Sequence, residues 1–358
     1  MNESFSDLLQ LLRRAWCAED VFGPLNGDGQ ATLKQRYRLL VAIAHPDHNP
    51  TRGVEAKEAF LLLQTWYAAA QSWVEQGASN PAPQISAATR LHQYVGYELP
   101  VQGDLCELFP VDVSGERVLL KVTCRPRDND LVEVEAQTLR RLDRGLTGKS
   151  VRAHFPTLVE DFLLGDAEGN HRRVNVLRAE VDYVSLEEII RAYPRGLAVA
   201  DAAWIFNRML AALGVAHSLG IVHGAVVPAH VLIRPSDHNG MLIDWCYSVA
   251  VGETIQAVSP PYLADYPPEV HARQPATGAT DIYMAARTMA RLLGGNGASP
   301  EPPPGIPKPL VALLRACLLP SPQRRASDAW QVFDDFQQIL ERLYGSPKFR
   351  PFPMPSAA

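Results

Sequence analysis

The sequence predicts an α+β protein that consists of a small all-α module followed by a larger domain of two lobes. Residues 5–76 are dense in helix-forming residues, and their apolar positions recur at helical spacing. From residue 97 to about residue 160 the pattern changes to short β-type runs, and from residue 198 onward it is helical with loops between. Strands followed by helices are typical of an α+β domain with one strand-rich lobe and one helical lobe.

The composition is that of an ordinary globular chain. The 358 residues are 47% apolar and 20% charged, and their number indicates two or three domains at roughly 150 residues per domain. The net charge of -5, with both signs interspersed, provides no basic field for nucleic acid or anionic lipid. The opening residues lack a basic leader, and the longest uncharged apolar stretches are shorter than the roughly 20 residues of a membrane span. We therefore expect a cytoplasmic protein without a nucleic-acid or membrane partner.

The cysteines support the same compartment. There are five, they are widely spaced, and none forms a Cys-x-x-Cys pair: Cys17, Cys106, Cys124, Cys246 and Cys317. An odd number without pairing or metal-ligand spacing indicates neither a disulfide framework nor a zinc site. A reducing environment is the simplest interpretation.

A domain boundary is predicted near residue 80, because residues 77–86 are small, polar and proline-bearing. Prolines also exclude a regular helix over residues 299–309, and the last residues, 347–358, are typical of a poorly ordered tail. The predicted parts are a helical module at 1–76, a linker at 77–90, a strand-rich lobe at about 91–183, a helical lobe at about 184–345 and a tail at 346–358.

An amphipathic helix is predicted over residues 32–44, immediately before the tripeptide His45-Pro46-Asp47. Its apolar residues are spaced for one helix face, and basic residues lie between them. The ring of Pro46 ends this helix, and a second amphipathic helix is predicted over residues 54–74. The two helices should form an antiparallel hairpin that displays the tripeptide at its tip.

This segment resembles the J-domain family, because the tripeptide matches the family signature and residues 37–40 match the helix before it. The resemblance implies a partner, an ATP-driven chaperone of the seventy-kilodalton heat-shock class whose hydrolysis such domains stimulate. It also implies which residues contact that chaperone, with the basic helix face attracted to an acidic surface: His45, Pro46, Asp47, Lys34 and Arg38. The alternative is that the tripeptide is only a helix stop followed by a turn.

Motifs of the larger domain occur in the order that protein kinases use, and this part of the chain resembles that family. Lys121 lies in a strand-like run, Glu135 follows about fourteen residues later in a helical segment, and Asp244 follows an apolar strand. The resemblance implies that Lys121 and Gly103 hold nucleotide phosphates, that Glu135 orients Lys121, and that Asp244 binds magnesium. It also implies a structural pair between Glu269 and Arg325.

The catalytic loop of this resemblance, residues 223–230, is degenerate. His223 is present, but Ala225 stands in place of the catalytic aspartate and cannot accept a proton. His230 stands in place of the second magnesium ligand, although imidazole is a poor ligand for a hard cation. The phosphate-covering loop, residues 103–108, has one glycine where three would let backbone amides approach phosphate. We expect a shortened helical lobe and an impaired kinase-like domain, not an efficient enzyme.

Three functions remain open from the sequence. The leading one is a co-chaperone that recruits and stimulates a chaperone ATPase, while the kinase-like domain binds ATP with Mg²⁺ or an unknown client protein. The second is an atypical ATP-dependent protein kinase in which His223 or His230 assists Lys121 and Asp244. The third is a non-catalytic interaction scaffold, which the proline-rich loops favour. Separately, the structural alternative to nucleotide binding is that Lys121 and Glu135 only lock the lobes together.

Overall fold

The structure is a computed structural model that describes residues 5–15, 18–23, 29–75, 83–146, 150–165, 169–297, 299, 301–346, 349, 352 and 354. The chain divides into two compact units. An N-terminal unit comprises residues 1–86, 95–99 and 355–358, and a larger unit comprises residues 87–94 and 100–354. The first division, between residues 86 and 87, lies within the linker predicted at 77–90, of which residues 77–82 lie outside the described residues, and the others follow residues 94, 99 and 354.

The N-terminal unit is helical in its described residues up to residue 75. Its α-helices are α1 (Phe5–Arg14), α2 (Ala18–Phe22), α3 (Gly29–Ala44) and α4 (Gly53–Glu75). Helices α3 and α4 match the two predicted amphipathic helices to within a turn. Tyr37 of α3 stacks on Tyr67 of α4 with ring centroids 3.7 Å apart, and His45 meets Phe60 nearer the turn. These pairings show that the two helices run antiparallel.

Leucines hold this hairpin together and attach α1 to it. Leu33 and Leu40 of α3 and Leu63 of α4 are each no more than 2% exposed, as are Leu8 and Leu12 of α1. Their side chains form one apolar cluster. Burial of a leucine side chain contributes about 1.5–3 kcal/mol, so this small unit has a core of its own.

The larger unit begins with a strand-rich lobe. Strands β1 (Ile85–Ala88) and β2 (Gln93–Gly96) lie across the division of the chain, and the strands wholly inside the larger unit are β3 (Val101–Gln102), β4 (Cys106–Val113), β5 (Glu116–Thr123), β6 (Leu158–Gly165) and β7 (His171–Arg178). Strands β1 and β2 form a two-stranded sheet, and the others form an antiparallel sheet in the order β3-β4-β5-β7-β6. Helix α5 (Asn129–Leu146) packs against β7. The register places Lys121 of β5 opposite Asn175 of β7, beside this helix.

The second lobe is mainly helical. Its helices are α6 (Leu186–Ala192), α7 (Val199–Ser218), α8 (Pro268–His271), α9 (Gly278–Leu292), α10 (Lys308–Cys317) and α11 (Ala329–Tyr344). Short strands lie beside them: β8 (Val184–Ser185), β9 (Ile221–Val222), β10 (Val231–Arg234), β11 (Asn239–Leu242) and β12 (Val249–Ala250). Helix α7 packs against both α9 and α11, so these helices form the core. The predicted α+β class is confirmed.

Two local predictions need correction. Helix α10 begins at Lys308, inside the segment predicted to be irregular, because Pro309 lies in the first helical turn, where the missing N–H has no helical partner to lose. In the tail, Phe352 is only 6% exposed and packs against Tyr193 and Trp204, so an aromatic contact fixes this position. Most other tail residues lie outside the described residues.

Helix α7 also bears on the prediction that the chain has no membrane span. Within the described residues it is the one helix long and apolar enough to cross a membrane by length and composition. However, 67% of its most apolar window is buried inside the unit. A core helix passes the same test, and α7 is packed as one, so it is weak evidence for a span.

Candidate functional site

The tripeptide at the tip of the N-terminal hairpin forms a rigid turn. Pro46 opens a short 3-10 turn, and the Nδ1 atom of His45 accepts a hydrogen bond from the amide of Asp47 at 3.2 Å. The ring of His45 packs edge-on against Phe60 of α4, with centroids 5.6 Å apart. The side chain of Asp47 is 85% exposed. The turn thus fixes His45 against the unit and presents the Asp47 carboxylate to solvent.

The predicted basic face lies on the helix before this turn. Lys34 and Arg38 of α3 are exposed and stand one helical turn apart, so they share a face. Leu39 beside them is 58% exposed, although it is apolar. The N-terminal unit therefore presents basic and apolar groups on α3 and a carboxylate at its turn.

In the kinase-like unit the structure brings Lys121, Glu135 and Asp244 together. The Nζ atom of Lys121 lies 2.8 Å from Oε1 of Glu135 and also donates to Oδ1 of Asp244. Lys121 is 3% exposed and Glu135 is fully buried. Asn175 donates to the second oxygen of Glu135 at 2.9 Å and to the carbonyl of Val132. Glu135 is thus held from two sides.

Charge pairing determines the protonation states of Lys121 and Asp244. Burial alone would lower the pKa of Lys121, but the nearby carboxylate of Asp244 and the other acidic neighbours raise it well above the usual range. Burial would raise the pKa of Asp244, whereas Lys121 and His230 hold it well below its ordinary value. Lys121 is therefore an ammonium ion and Asp244 a carboxylate at neutral pH.

Among the described residues, one group of potential metal ligands surrounds the ammonium of Lys121. Ligand atoms of Glu135, Asp244 and Cys246 lie within 4.8 Å of one another. The ammonium of Lys121 contacts all three, with the Cys246 sulfur 3.9 Å away. Burial raises the pKa of Cys246 well above its ordinary value, so the thiol keeps its proton and is a poor metal ligand. In this arrangement the cluster surrounds the ammonium of Lys121.

His223 is a structural residue of the degenerate loop. It is fully buried, its Nε2 atom donates to the carbonyl of Ile243 at 2.9 Å, and its Nδ1 atom accepts from the amide of Ala225. Asp281, at the start of α9, accepts hydrogen bonds from the amides of His223 and Gly224 and so anchors the loop. With both nitrogens engaged, His223 cannot take a proton from a substrate hydroxyl.

Ala225 stands where the resemblance places the catalytic base, and its methyl side chain is fully buried. The neighbouring Gly224 has a φ of +79°, and a Cβ atom there would lie 2.5 Å from the carbonyl oxygen of Tyr247. Any larger residue would therefore displace the segment that carries Asp244. At Gly224 the backbone of this loop lies too close to Tyr247 to leave room for a side chain.

His230 faces inward from the same loop. Its Nδ1 atom donates to the carbonyl of Ala225 at 2.9 Å, and its Nε2 atom lies 3.3 Å from Oδ2 of Asp244. The ring of Tyr247 stacks on it with centroids 5.3 Å apart. His230 is 4% exposed and is thus part of the wall beside Asp244.

The phosphate-covering loop contacts the second lobe. Asp104, next to Gly103, accepts a hydrogen bond from Ser259 and one from the Tyr247 hydroxyl at 3.4 Å. Leu105 packs against the main apolar cluster, which contains residues of both lobes. Gly103 itself donates to the carbonyl of Cys106 at 2.9 Å, which closes a tight turn. The loop therefore rests on the segment after Asp244.

A cavity of about 650 Å³ lies beside α5, between this helix and residues 246–257. Leu131 and Val134 contribute to its wall, whereas Lys121 and Asp244 do not. This cavity is distinct from the predicted nucleotide site.

Sequence reasoning did not find Asp104, Tyr247, Ser259 and Asn175. Two of these residues are unusual for their position in the sequence. Asn175 interrupts an apolar run in β7, and Asp104 is an acidic residue in a loop expected to contact phosphate. A buried polar residue needs a partner, so Asn175 indicated a contact. Which partner it has depends on α5, which packs on the sheet only in the folded unit.

Acidification is expected to destabilise the larger unit through His223. Burial lowers the pKa of His223 to about 4, below the ordinary value of 6.5. The unfolded chain therefore binds the proton first, so this contribution to stability is complete above pH 6.5 and is lost as the pH falls toward 4. The difference corresponds to about 3 kcal/mol. Thermal unfolding followed between pH 7 and pH 4 should show the decline.

The His223→Gln variant should have a shallower pH dependence, because glutamine does not titrate. Burial also lowers the pKa of His154, so part of the slope should remain in this variant. An identical pH dependence for wild type and His223→Gln would contradict the assignment.

Comparison with known proteins supports the kinase-like fold. Vaccinia related kinase 3 superposes with a TM-score of 0.59 and 13% identity, covering 74% of this chain and 92% of that one. The chain is 26% identical over 237 residues to the serine/threonine-protein kinase PknJ of Mycobacterium tuberculosis. It is 26% identical over 259 residues to PknG of Mycolicibacterium smegmatis and 28% identical over 150 residues to PkaA of Streptomyces coelicolor.

These alignments cover 57%, 68% and 35% of this chain, respectively. The chain spans only 39%, 32% and 27% of the lengths of these three kinases. No protein-family model matches the chain. The larger unit therefore has a protein-kinase-like fold, and its activity is a separate question.

Proposed function

We propose that this protein is a J-domain-like co-chaperone fused to a catalytically impaired kinase-like unit. The observation that supports it best is the turn of the N-terminal hairpin, which holds His45 in place and exposes Asp47. The exposed Lys34 and Arg38 would approach an acidic surface of a seventy-kilodalton heat-shock chaperone. The kinase-like unit, which has no base at Ala225, would serve as a nucleotide-binding or protein-binding module.

The decisive experiment is steady-state ATP hydrolysis by the host's seventy-kilodalton chaperone, with and without this protein. We expect stimulation by the wild type and none by His45→Gln or Asp47→Asn. Asp47→Asn is the sharper variant, because this side chain is 85% exposed and its charge can be removed without changing the packing. Loss of stimulation in that variant would indicate a lost partner contact.

Asp112→Asn in the kinase-like unit provides a matched control for the loss of one surface carboxylate, since the side chain of Asp112 is 68% exposed. It should stimulate hydrolysis like the wild type. If wild-type protein does not stimulate the chaperone, or if Asp47→Asn stimulates it equally, the tripeptide is only a turn and the co-chaperone proposal is wrong.

A second candidate is an atypical protein kinase, which is favoured by the similarity to three serine/threonine kinases. The geometry gives it less support, because His223 and His230 already use both ring nitrogens. Incubation with labelled ATP and magnesium or manganese tests it. Label transferred by the wild type and not by Asp244→Asn would favour this function over the first.

A further inference from the structure

In the kinase-like unit, the predicted nucleotide site lies around Lys121 and Asp244. The side chains that would contact magnesium and phosphate there are bonded to other protein groups instead. We infer that this site does not bind ATP together with Mg²⁺, and that His230 and Asp104 are the residues that exclude the complex. The inference concerns the kinase-like unit alone. It stands whether or not the N-terminal unit stimulates a chaperone, and of the two roles proposed for the kinase-like unit it favours protein binding.

The first step of the argument is the environment of Asp244. One of its carboxylate oxygens accepts a hydrogen bond from Lys121, and the other lies 3.3 Å from Nε2 of His230. In a kinase that uses magnesium, this aspartate is a metal ligand. Here both of its oxygens already face groups of the protein.

The second step is the chemistry of the other ligand position. Mg²⁺ requires an octahedral shell of oxygen atoms at about 2.0–2.1 Å. His230 offers no oxygen, and its Nδ1–H is committed to the carbonyl of Ala225. The ring is also fixed from its face by Tyr247. The residues present therefore do not fit a magnesium ion.

The third step is the loop that should cover the phosphates. Asp104 places a carboxylate in this loop, and the carboxylate is bound to Ser259 and Tyr247 across the cleft. Leu105 beside it packs against the main apolar cluster of the unit. An incoming triphosphate would have to break these contacts and approach a like charge without a metal ion to neutralise it.

Together, these contacts of Asp104, Lys121 and His230 occupy the predicted nucleotide site with bonds between protein groups. Lys121 forms an ion pair with Glu135 and also bonds to Asp244. The groups that a kinase would offer to phosphate and magnesium are therefore already paired with one another.

A fluorescent ATP analogue titrated into the full-length protein tests the inference, with Mg²⁺, with Mn²⁺ and with EDTA. We expect no metal-dependent binding by the wild type. The double variant Asp104→Gly/His230→Asn restores a glycine and an amide oxygen, so its apparent Kd in Mg²⁺ should be at least about tenfold lower than in EDTA, a change of about 1.4 kcal/mol.

Metal-dependent binding by the wild type would overturn the inference. A folded double variant without such binding would overturn the assignment of exclusion to Asp104 and His230. If the double variant loses its thermal transition, Asp104→Asn replaces it, because this change removes only the charge. Equal affinity of Asp104→Asn and wild type would then count against Asp104. His171 is an exposed histidine in β7, and the His171→Asn variant shows the effect of losing an imidazole outside the predicted nucleotide site.

Discussion

Lys121→Met is expected to destabilise the kinase-like unit by about 3–5 kcal/mol. Removing one partner of a buried ion pair leaves the other charge without compensation, and here Glu135 is fully buried beside the missing ammonium. In a unit of this size that loss corresponds to a decrease of the thermal midpoint by about 2–4 °C per kcal/mol. Differential scanning calorimetry of the full-length protein measures it.

Two further variants make this experiment specific. Lys308→Met changes an exposed lysine at the start of α10 and should shift stability by less than about 0.5 kcal/mol. Adding Glu135→Gln to Lys121→Met removes the uncompensated charge and should restore part of the loss. If Lys121→Met left the midpoint unchanged, Lys121 would not be a structural lock, and a ligand role would again be the better interpretation.

Arg325→Met is expected to have an effect of similar or larger size. The guanidinium of Arg325 makes two hydrogen bonds to the buried Glu269, at 2.6 and 3.2 Å. It also donates to the carbonyls of Leu319, Ala279 and Pro320. Methionine fills much of the volume but leaves the buried Glu269 carboxylate without its cationic partner, so a loss of at least about 3–5 kcal/mol is expected.

The control for Arg325 is Arg315→Met in α10. Arg315 pairs with Glu301 at 2.8 Å, but both side chains are more than half exposed. Such surface pairs contribute about 0–1 kcal/mol. Chemical denaturation of both variants gives the comparison, and equal losses would show that burial is not what makes the Glu269–Arg325 pair important.

Much of the fold could be predicted because it depends on local patterns. Helical spacing and Pro46 predicted α3, the turn and α4, and the order of motifs predicted the kinase-like fold. The approach of Lys121 to Glu135 also followed from motif order, because the strand and the helix that carry them are neighbours in the chain.

The state of the cleft could not be predicted in this way. Asp104 and Ser259 are 155 positions apart, and Lys121 and Asp244 are 123 apart. Contacts between residues so far apart depend on how the two lobes are placed relative to each other, and the spacing of apolar residues along the sequence does not predict that placement. His230 was recognised as a poor magnesium ligand, but only the structure shows its contact with Asp244.

The sequence by itself determined the two-part organisation, the tripeptide turn and the absence of a catalytic carboxylate at Ala225. These are properties of residue type and short-range spacing, and they do not change with packing. Tertiary structure alone decided that Lys121 lies within its own shell of acidic groups and that Asp104 bridges the cleft. The physical reason is that burial and charge pairing depend on distances between residues far apart in the chain.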